Sequence, residues 1–334
     1  MSLGADSLNK MNTDSPAPVS DYSEAPPESP RQPPGAIARA SRKFLDDPDY
    51  ILRAWAAILI VITIDWVWGR RAGFEIGGII PAVRAVAMIA AVGFFFDYTG
   101  RARQVSEAAH YCALWLSLAV AIDIYSYAAA TLRMPMCDLQ FARMDAALGF
   151  NWSAGFALIK SSSWMIRSVL SHAYNSIFIQ VFFSIGYFAL TRRSDRNLEL
   201  LWIGMLAALI TTSLSGLFPA LGPYLNGDMP AWSAVLVTIR NGTLSKFALT
   251  DMTGIVAFPS FHTVLAVLLV YVHRPPLRTF IPMAILNVLM LIAIPFAGHH
   301  YLVDVIAGVA VAFLSIAIAQ AAMRWRSVAR PQGV

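Results

Sequence analysis

Eight stretches of the chain are long and apolar enough to cross a membrane. Polar and charged residues divide the sequence into runs of about 20 mostly apolar residues, the length that a helix needs to cross about 30 Å of hydrocarbon. The runs cover residues 51–68, 76–96, 108–132, 166–190, 198–218, 255–273, 279–297 and 301–323. The pattern therefore predicts an all-α, polytopic membrane helical bundle of about eight transmembrane helices.

Two longer connections separate some of these runs, at residues 133–165 and 219–254. Both contain amphipathic pieces, "CDLQFARMDAALGFNW" and "AWSAVLVTIRNGTLSKFAL", which are too polar to span a bilayer. Helices of this kind lie in the plane of the membrane interface, with the apolar face turned toward lipid. We therefore expect these two connections to rest at the interface.

The overall composition agrees with a membrane protein. The 334-residue chain is 57% hydrophobic and only 13% charged, with a mean hydropathy of +0.58, whereas soluble domains contain about 25% charged residues. The net charge of +5 is spread over short loops and forms no continuous basic patch. The bilayer is therefore the expected partner, and a nucleic acid is not.

The distribution of polar residues divides the chain into four regions. Residues 1–49 are rich in proline, serine and acidic residues and are expected to form a disordered cytoplasmic tail. Residues 50–132 hold the first three transmembrane helices, and residues 133–323 hold the rest of the bundle. Residues 324–334 form a basic cytoplasmic C-terminal tail.

The basic residues also predict an orientation. If the N-terminus is cytoplasmic, the cytoplasmic segments hold 15 of the 25 Lys and Arg residues and the opposite loops hold seven, with Arg70 and Arg71 in the one dissenting loop. Lys and Arg are concentrated in cytoplasmic loops of membrane proteins. We therefore expect both termini in the cytoplasm, in a bacterial inner membrane, and the starts of the sixth and eighth runs on the extracytoplasmic face.

The start of the eighth run, "GHHYLVDVIAG" at residues 298–308, carries the first candidate chemistry. Asp304 follows His300 by four residues, so on a helix its carboxylate can reach back to the imidazole. A bond from Nδ1–H to the carboxylate leaves Nε2 free as a nucleophile. His299 is expected instead to hydrogen-bond a loop carbonyl group.

The start of the sixth run, "FPSFH" at residues 258–262, is suited to binding an anion. Pro259 fits the first turn of a helix, Ser260 offers a hydroxyl group, and His262 lies within the first turn. Free backbone N–H groups at a helix N-terminus favour a phosphate oxygen. The His262 imidazole can protonate a leaving oxygen.

The helix-opening P-S-x-H and the later H-x-x-x-D resemble the second and third signature motifs of the type 2 phosphatidic acid phosphatase superfamily. Four segments in order resemble its inositol phosphorylceramide synthase-like (inositolphosphotransferase-like) branch. They are "RMDAALGFNW", "FPALGPY", "GIVAFPSFH" and "GHHYLVDVIAG", within roughly residues 135–310. The resemblance makes residues 133–323 the expected catalytic domain.

The resemblance implies a role for each matching residue. His300 is the nucleophile that forms a phosphohistidine, and Asp304 orients it. His262 acts as acid and then as base, and Ser260 holds a phosphate oxygen. The implied substrate is a phospholipid, the acceptor is a lipid alcohol or water, and no cofactor or metal is needed.

Three departures from the superfamily pattern concern the phosphate-binding cations. Ile294 stands where an arginine is usual, and Phe261 replaces the glycine of P-S-G-H. The first superfamily motif, a Lys followed by Arg-Pro, is missing, and Arg240 and then Lys246 are the expected substitutes. A site with few cations fits a singly charged phosphodiester better than a phosphomonoester, so we expect a lipid phosphotransferase.

Other functions remain open from the sequence. A phosphatase that releases inorganic phosphate would use the same residues. His262, His300 and Asp304 could alternatively form a two-histidine, one-carboxylate metal site of a membrane hydrolase. A transporter would use the ionisable residues within the spans. The sequence predicts neither the oligomeric state nor the identity of the donor and acceptor lipids.

Overall fold

The apolar runs form long helices, and shorter helices occupy the connections between them. The computed structural model of the chain describes residues 50–225, 227, 229–243 and 246–329, which contain twelve α-helices and two short strands. The helices are α1 (Tyr50–Ala72), α2 (Ile79–Thr99), α3 (Arg103–Ala130), α4 (Asp138–Ala147), α5 (Trp152–Ser161), α6 (Trp164–Asn175), α7 (Ile177–Leu190), α8 (Ser194–Leu217), α9 (Ala231–Arg240), α10 (Phe261–Val272), α11 (Phe280–Ala297) and α12 (Leu302–Ala329). The strands are β1 (Glu75–Gly77) and β2 (Lys246–Ala248), and a 3-10 helix, Leu249–Asp251, follows β2.

The all-α membrane bundle is confirmed, but the helices differ from the expected spans in number. Six helices in the described part are long and apolar enough to cross a membrane: α1, α2, α3, α8, α11 and the Leu302–Ala322 part of α12. The pair α6 and α7 meets the same criterion together, with a 55° bend between the two helices. The count is thus six, or seven with the bent pair, where the apolar pattern predicts about eight.

The difference arises at two places. The run at 255–273 is helical only from Phe261 to Val272, and these 12 residues extend about 18 Å. The run at 166–190 breaks at Ser176, where the Ser176 hydroxyl donates to the Ala173 carbonyl group and the Asn175 amide donates to the Ser171 carbonyl group, both at 2.7 Å. Side chains that bond to helix carbonyl groups compete with the helix, and hydropathy alone does not record this.

The expected tails are only partly within the described residues. Residues 1–49 lie outside them, as do residues 330–334. The expected C-terminal tail begins at residue 324, whereas α12 continues as a helix to Ala329. Because the side on which each terminus lies depends on the number of crossings, the cytoplasmic position of both termini stays a prediction.

A cluster of ion pairs fixes one end of the bundle. Arg274, just after α10, donates to both Glu199 carboxylate oxygens at 2.9 Å, and Arg196 lies 3.4 Å from the same carboxylate. Ser194, at the start of α8, donates to Glu107 near the start of α3 at 2.6 Å. Helices α3 and α8 therefore start at this end, α10 finishes there, and their other ends meet at the opposite end, which we call the site end.

The main hydrophobic core packs the long helices against one another. Leu114 of α3, Leu200 of α8, Leu269 of α10 and Met290 of α11 are completely buried in one cluster. At the site end, β1 pairs in parallel with β2, with Ile76 opposite Phe247. This small sheet attaches the loop after α1 to the segment that leads into α10.

Gly308 allows α12 to approach the start of α10 very closely. A Cβ atom at this position would lie 2.7 Å from the Ser260 carbonyl oxygen and 2.8 Å from the Thr263 Cβ atom. One turn earlier, the Asp304 carbonyl oxygen accepts a 3.0 Å bond from the Ser260 backbone N–H. A residue without a side chain is therefore required for α10 and α12 to join at this point.

We expect Gly308→Ala to lower the melting temperature of the purified protein by several degrees. The added methyl group meets backbone that has no room to move, and such overpacking costs about 1–3 kcal/mol. Gly186→Ala in α7 is the matched control, since a Cβ atom there has nothing within 4 Å. Thermal unfolding in detergent measures both variants, and equal melting temperatures for Gly308→Ala and the unmodified chain would contradict the expectation.

Candidate active site

The connection between α11 and α12 holds the predicted nucleophile and its partner. His300 Nδ1 lies 3.2 Å from Asp304 Oδ2, and both residues are buried. The same carboxylate oxygen accepts the Tyr301 backbone N–H at 2.9 Å. An ionised carboxylate only accepts hydrogen bonds, so Nδ1 is the donor in this pair, and in the neutral tautomer the lone pair lies on Nε2.

His300 does not itself lie on the helix. Helix α12 begins at Leu302, and the preceding turn is bound to the end of α11 by bonds from Gly298 N–H to Ile294 and from His300 N–H to Pro295, at 3.0 and 3.1 Å. The expected pairing of His300 with Asp304 is present. The two residues do not lie on one helix, however: His300 lies in the turn before α12, and the Asp304 carboxylate in the first turn of α12 closes that turn. This arrangement holds His300 against two helices.

Ser260 caps the start of α10. Its hydroxyl oxygen accepts the Thr263 backbone N–H at 3.4 Å, and the residue is completely buried beside Asp304. A hydroxyl group that accepts one bond can still donate its own proton. Ser260 is thus able to donate a hydrogen bond to an oxygen placed at this helix N-terminus, and its role in holding a phosphate oxygen stays a prediction.

His262 lies next to His300 and stacks on a tyrosine. The His262 imidazole packs face to face on the Tyr174 ring, with 4.3 Å between centroids and 11° between planes. Burial, and then the neighbouring charge of His300, lowers the pKa of His262 to about 4. A Cβ atom on Gly298 would lie 2.7 Å from His300 Cδ2 and 2.9 Å from the Tyr174 hydroxyl oxygen. Tyr174 therefore lies beside both histidines, and no motif in the sequence identifies it.

Two aspartates of α4 support the turn that carries His300, and sequence reasoning assigned neither a role. Asp145 accepts the Leu302 and Val303 backbone N–H groups at 2.8 and 3.0 Å, so it caps α12 from another helix. Asp138 accepts the Tyr301 hydroxyl at 3.2 Å, and its Oδ1 also accepts the backbone N–H groups of 221 and 222 at 2.9 and 3.1 Å. Asp145 lies inside the segment "RMDAALGFNW", whose family resemblance is the sequence feature that could have identified this aspartate.

Burial opposes the charge on both aspartates. Burial raises the pKa of Asp145, although the bonds from the Leu302 and Val303 N–H groups act in the opposite direction. Burial also raises the pKa of Asp138, against the bonds from the 221 and 222 N–H groups and from Tyr301. The N–H groups at the start of α12 thus partly compensate a carboxylate that water solvates poorly.

A cavity of about 670 Å³ opens beside these aspartates. Its wall is formed mainly by α4, the start of α5 and two loops. The lining residues are Asp138, Ala142, Asp145, Ala146, Gly149, Phe150, Asn151, Trp152, Ser153, Leu221, Gly222, Pro223, Tyr224 and Tyr301. Among the described residues, this wall contains hydrogen-bonding groups and carboxylates but no Lys or Arg.

The contacts of Arg240 and Lys246 lie elsewhere. Arg240 donates to the Met134 carbonyl oxygen at 2.5 Å, and Lys246 forms a largely exposed pair with Glu75 at 3.3 Å. The contacts described above join His300, Asp304, Ser260 and His262, and they do not include either cation. A phosphate-binding role for Arg240 and Lys246 at this site stays a prediction.

His299 takes the expected position in the loop. Its Nδ1 lies 3.1 Å from the Pro223 carbonyl oxygen, which confirms the predicted bond to a loop carbonyl group. Its backbone is left-handed, with φ of 54°, so the chain turns here and directs His300 back toward α11.

Across the described residues, no group of three or more His, Cys, Asp or Glu side chains is arranged to hold a metal ion.

We expect Asp145→Asn to lower kcat for phospholipid turnover about tenfold to a hundredfold while KM changes little. The amide keeps one acceptor oxygen but places its NH2 group against one of the two N–H groups of Leu302 and Val303. One of the two bonds is therefore lost, the turn that aligns His300 shifts, and small misplacements cost this much. Asp251→Asn is the control, because Asp251 is exposed and bonds to Thr250. Steady-state kinetics on folded protein measure both variants, and unchanged kcat for Asp145→Asn would remove the positioning role.

Comparison with known proteins identifies a family for this chain. No curated protein and no solved structure matches the chain. A family model described as the PAP2 superfamily matches residues 139–318, which is more than half of the chain and runs from α4 into α12. The match includes the four residues that meet at the site end, His300, Asp304, Ser260 and His262. The chain therefore belongs to the PAP2 superfamily.

Proposed function

We propose that this protein is a membrane lipid phosphotransferase that acts through a phosphohistidine on His300. The observation that carries the proposal is the buried His300–Asp304 pair beside the capped N-terminus of α10, which holds Ser260 and His262. Membership of the PAP2 superfamily supports lipid phosphatase or phosphotransferase chemistry in general. The four segments quoted above favour the inositolphosphotransferase-like branch within it.

The first step forms a covalent intermediate. His300 Nε2 attacks the phosphorus atom of the donor lipid, a P–N bond forms, and the P–O bond to the leaving alcohol breaks. The imidazolium form of His262 gives its proton to the leaving oxygen and becomes neutral, and Asp304 stabilises the positive charge on the His300 ring through Nδ1–H. The Ser260 hydroxyl group and free N–H groups at the start of α10 hold the phosphoryl oxygens.

The second step reverses the proton movement. The hydroxyl group of the acceptor gives its proton to His262, its oxygen attacks phosphorus, and the P–N bond to His300 breaks. With a diester donor, a lipid hydroxyl as acceptor gives a new phosphodiester and water gives a phosphomonoester. With a monoester donor, water as acceptor releases inorganic phosphate, which is phosphatase activity. We place this chemistry on the extracytoplasmic face, since the positive charges favour cytoplasmic termini.

The charges around the site favour a phosphodiester donor. Ile294, at the usual arginine position, is completely buried in the main apolar core, so no cation is supplied from there. The adjacent cavity is lined by Asp138 and Asp145 and by no basic residue. A phosphomonoester carries nearly two negative charges at neutral pH and a diester carries one, so repulsion from these carboxylates falls more heavily on the monoester.

We expect His300→Ala to abolish both turnover and the trapped phospho-enzyme. His262→Ala should lose turnover but still form some intermediate from a donor with a good leaving group, because attack by His300 needs no proton from His262 in that case. His172→Ala, in the exposed part of α6, is the control. Incubation with phosphorus-labelled lipid and an alkaline quench measures the acid-labile adduct, and labelling of His300→Ala at the wild-type level would overturn the mechanism.

Parallel kinetics on two donors separate transferase from phosphatase. We expect a higher kcat/KM for a diester phospholipid plus a lipid alcohol than for phosphatidic acid, because the carboxylate-lined surroundings disfavour the doubly charged monoester. Products are resolved as exchanged lipid or as free phosphate. A clearly higher kcat/KM on phosphatidic acid, with inorganic phosphate released, would replace the transferase with a phosphatase.

A further inference from the structure

A second cavity, of about 850 Å³, lies at the site end, between the last turns of α1, α3 and α9. Its wall is partly apolar and partly basic. The lining residues are Thr63, Ile64, Val67, Trp68, Arg71, Ala72, Gly73, Phe74, Thr131, Leu132, Arg133, Ile239, Gly242 and Phe247. None of the residues at the His300 centre contributes to this wall.

Three arginines from different elements meet around this cavity. Arg71 lies in the last turn of α1, Arg133 follows α3, and Arg240 ends α9 between the lining residues Ile239 and Gly242. The ion pairs of the described residues include none of the three. The negative ends of α1 and α9 attract these cations, but each supplies only about half a charge.

The environment of Arg240 shows that this positive charge is poorly compensated. Its Nη1 is buried and has no hydrogen-bond partner in the described part of the chain, while Nη2 donates to Met134. Burial, and then the neighbouring charge of Arg133, lowers the pKa of Arg240. Two like charges held side by side with a free buried donor form a site that favours an anion.

Arg133 adopts an unfavourable backbone conformation at the wall of the cavity. Arg133 has a left-handed backbone, with φ of 53°, which disfavours a residue with a side chain. Its Nη2 lies only 2.9 Å from where a Cβ atom on Gly242 would be, so the guanidinium packs against the bare backbone of Gly242. The fold therefore keeps this guanidinium at the wall of the cavity.

The rest of the wall suits the apolar part of an amphiphile. Ile64 and Val67 are 48% and 38% exposed on the outer face of α1, next to Trp68, whose indole N–H donates to Thr131 at 3.2 Å. An exposed apolar strip on a membrane-spanning helix contacts acyl chains. The cationic mouth and the apolar strip together fit a lipid with a negative headgroup.

We propose that this cavity binds the phosphate group of an anionic phospholipid, whose acyl chains lie along α1. Arg71 and Arg133 hold the phosphate oxygens, with Arg240 behind them. The site is separate from the proposed phosphotransfer centre and does not depend on it. It also accounts for the one loop, at Arg70 and Arg71, that departs from the charge asymmetry of the other loops.

Lipid binding to neutral-lipid nanodiscs tests the site. All variants carry His300→Ala, so that turnover does not consume the ligand. We expect phosphatidylglycerol to bind more tightly than phosphatidylcholine, and Arg71→Gln to weaken phosphatidylglycerol binding about fivefold, as expected for the loss of one surface cation. Adding Arg133→Gln should weaken it further, because the phosphate then loses a second cation of the cavity wall.

The neighbouring Arg70→Gln is the matched control, because Arg70 stacks over the Trp66 ring and does not line the cavity. It should keep wild-type binding of phosphatidylglycerol. Equal losses for Arg70→Gln and Arg71→Gln would overturn the site in favour of a general charge effect. Arg71→Gln lies at an exposed helix end, so it keeps the test valid if the Arg133 variant fails to fold.

A competition arm identifies the source of the phosphate. Millimolar inorganic phosphate should displace little phosphatidylglycerol, because the acyl chains contribute to binding along α1. Full displacement by inorganic phosphate would overturn the lipid assignment and leave a site for the free ion. Equal affinity for phosphatidylglycerol and phosphatidylcholine in the unmodified cavity would overturn the proposal as a whole.

Discussion

The carboxylate and backbone of Asp304 join the parts of the chain on which the active site depends. Its side chain fixes His300, its Oδ2 closes the turn at Tyr301, and its carbonyl oxygen accepts the N–H of Ser260. The histidine, the turn and the start of α10 are thus held by one residue that is completely buried. A buried carboxylate without such donors would be costly, so the bonds that build the site also make Asp304 tolerable in the bundle.

Residues around Asp304 also satisfy buried polar groups or allow the helices to pack closely. Asp145 caps the N-terminus of α12 from a separate helix, and Gly308 lets α12 reach Ser260 without a steric clash. Helix N-termini have unpaired N–H groups, and in α12 two of these are used by Asp145. The N-terminus of α10, by contrast, is capped by the Ser260 side chain within its own segment, and the proposed mechanism uses other N–H groups there to hold a phosphate oxygen.

The sequence predicted the bundle and the core of the site because their signals are local. Hydropathy identifies long helices, and the motifs around His262 and His300 are each contained in a few residues. Partners that come from distant segments left no such signal: Tyr174 stacks on His262 from α6, and Asp145 reaches α12 from α4. The motif "FPSFH" indicated a helix start, but the length of α10 was overestimated because the apolar run at 255–273 extends beyond both ends of the helix.

The distribution of positive charge separates the two proposed roles of the site end. Among the described residues, Ile294 fills apolar core and the wall of the cavity beside Asp138 and Asp145 has no arginine, while Arg133 and Arg240 lie together at the second cavity. A catalytic centre with few fixed cations binds product phosphate weakly, so a phosphodiester leaves without a strong electrostatic penalty. In the proposed lipid site, Arg133 and Arg240 attract the phosphate of a bound lipid and do not contact the phosphate that reacts at His300. In the proposed mechanism, the balance between transfer and hydrolysis depends on the access of water to His300, which is only 5% exposed between α11, α12 and the Tyr174 ring.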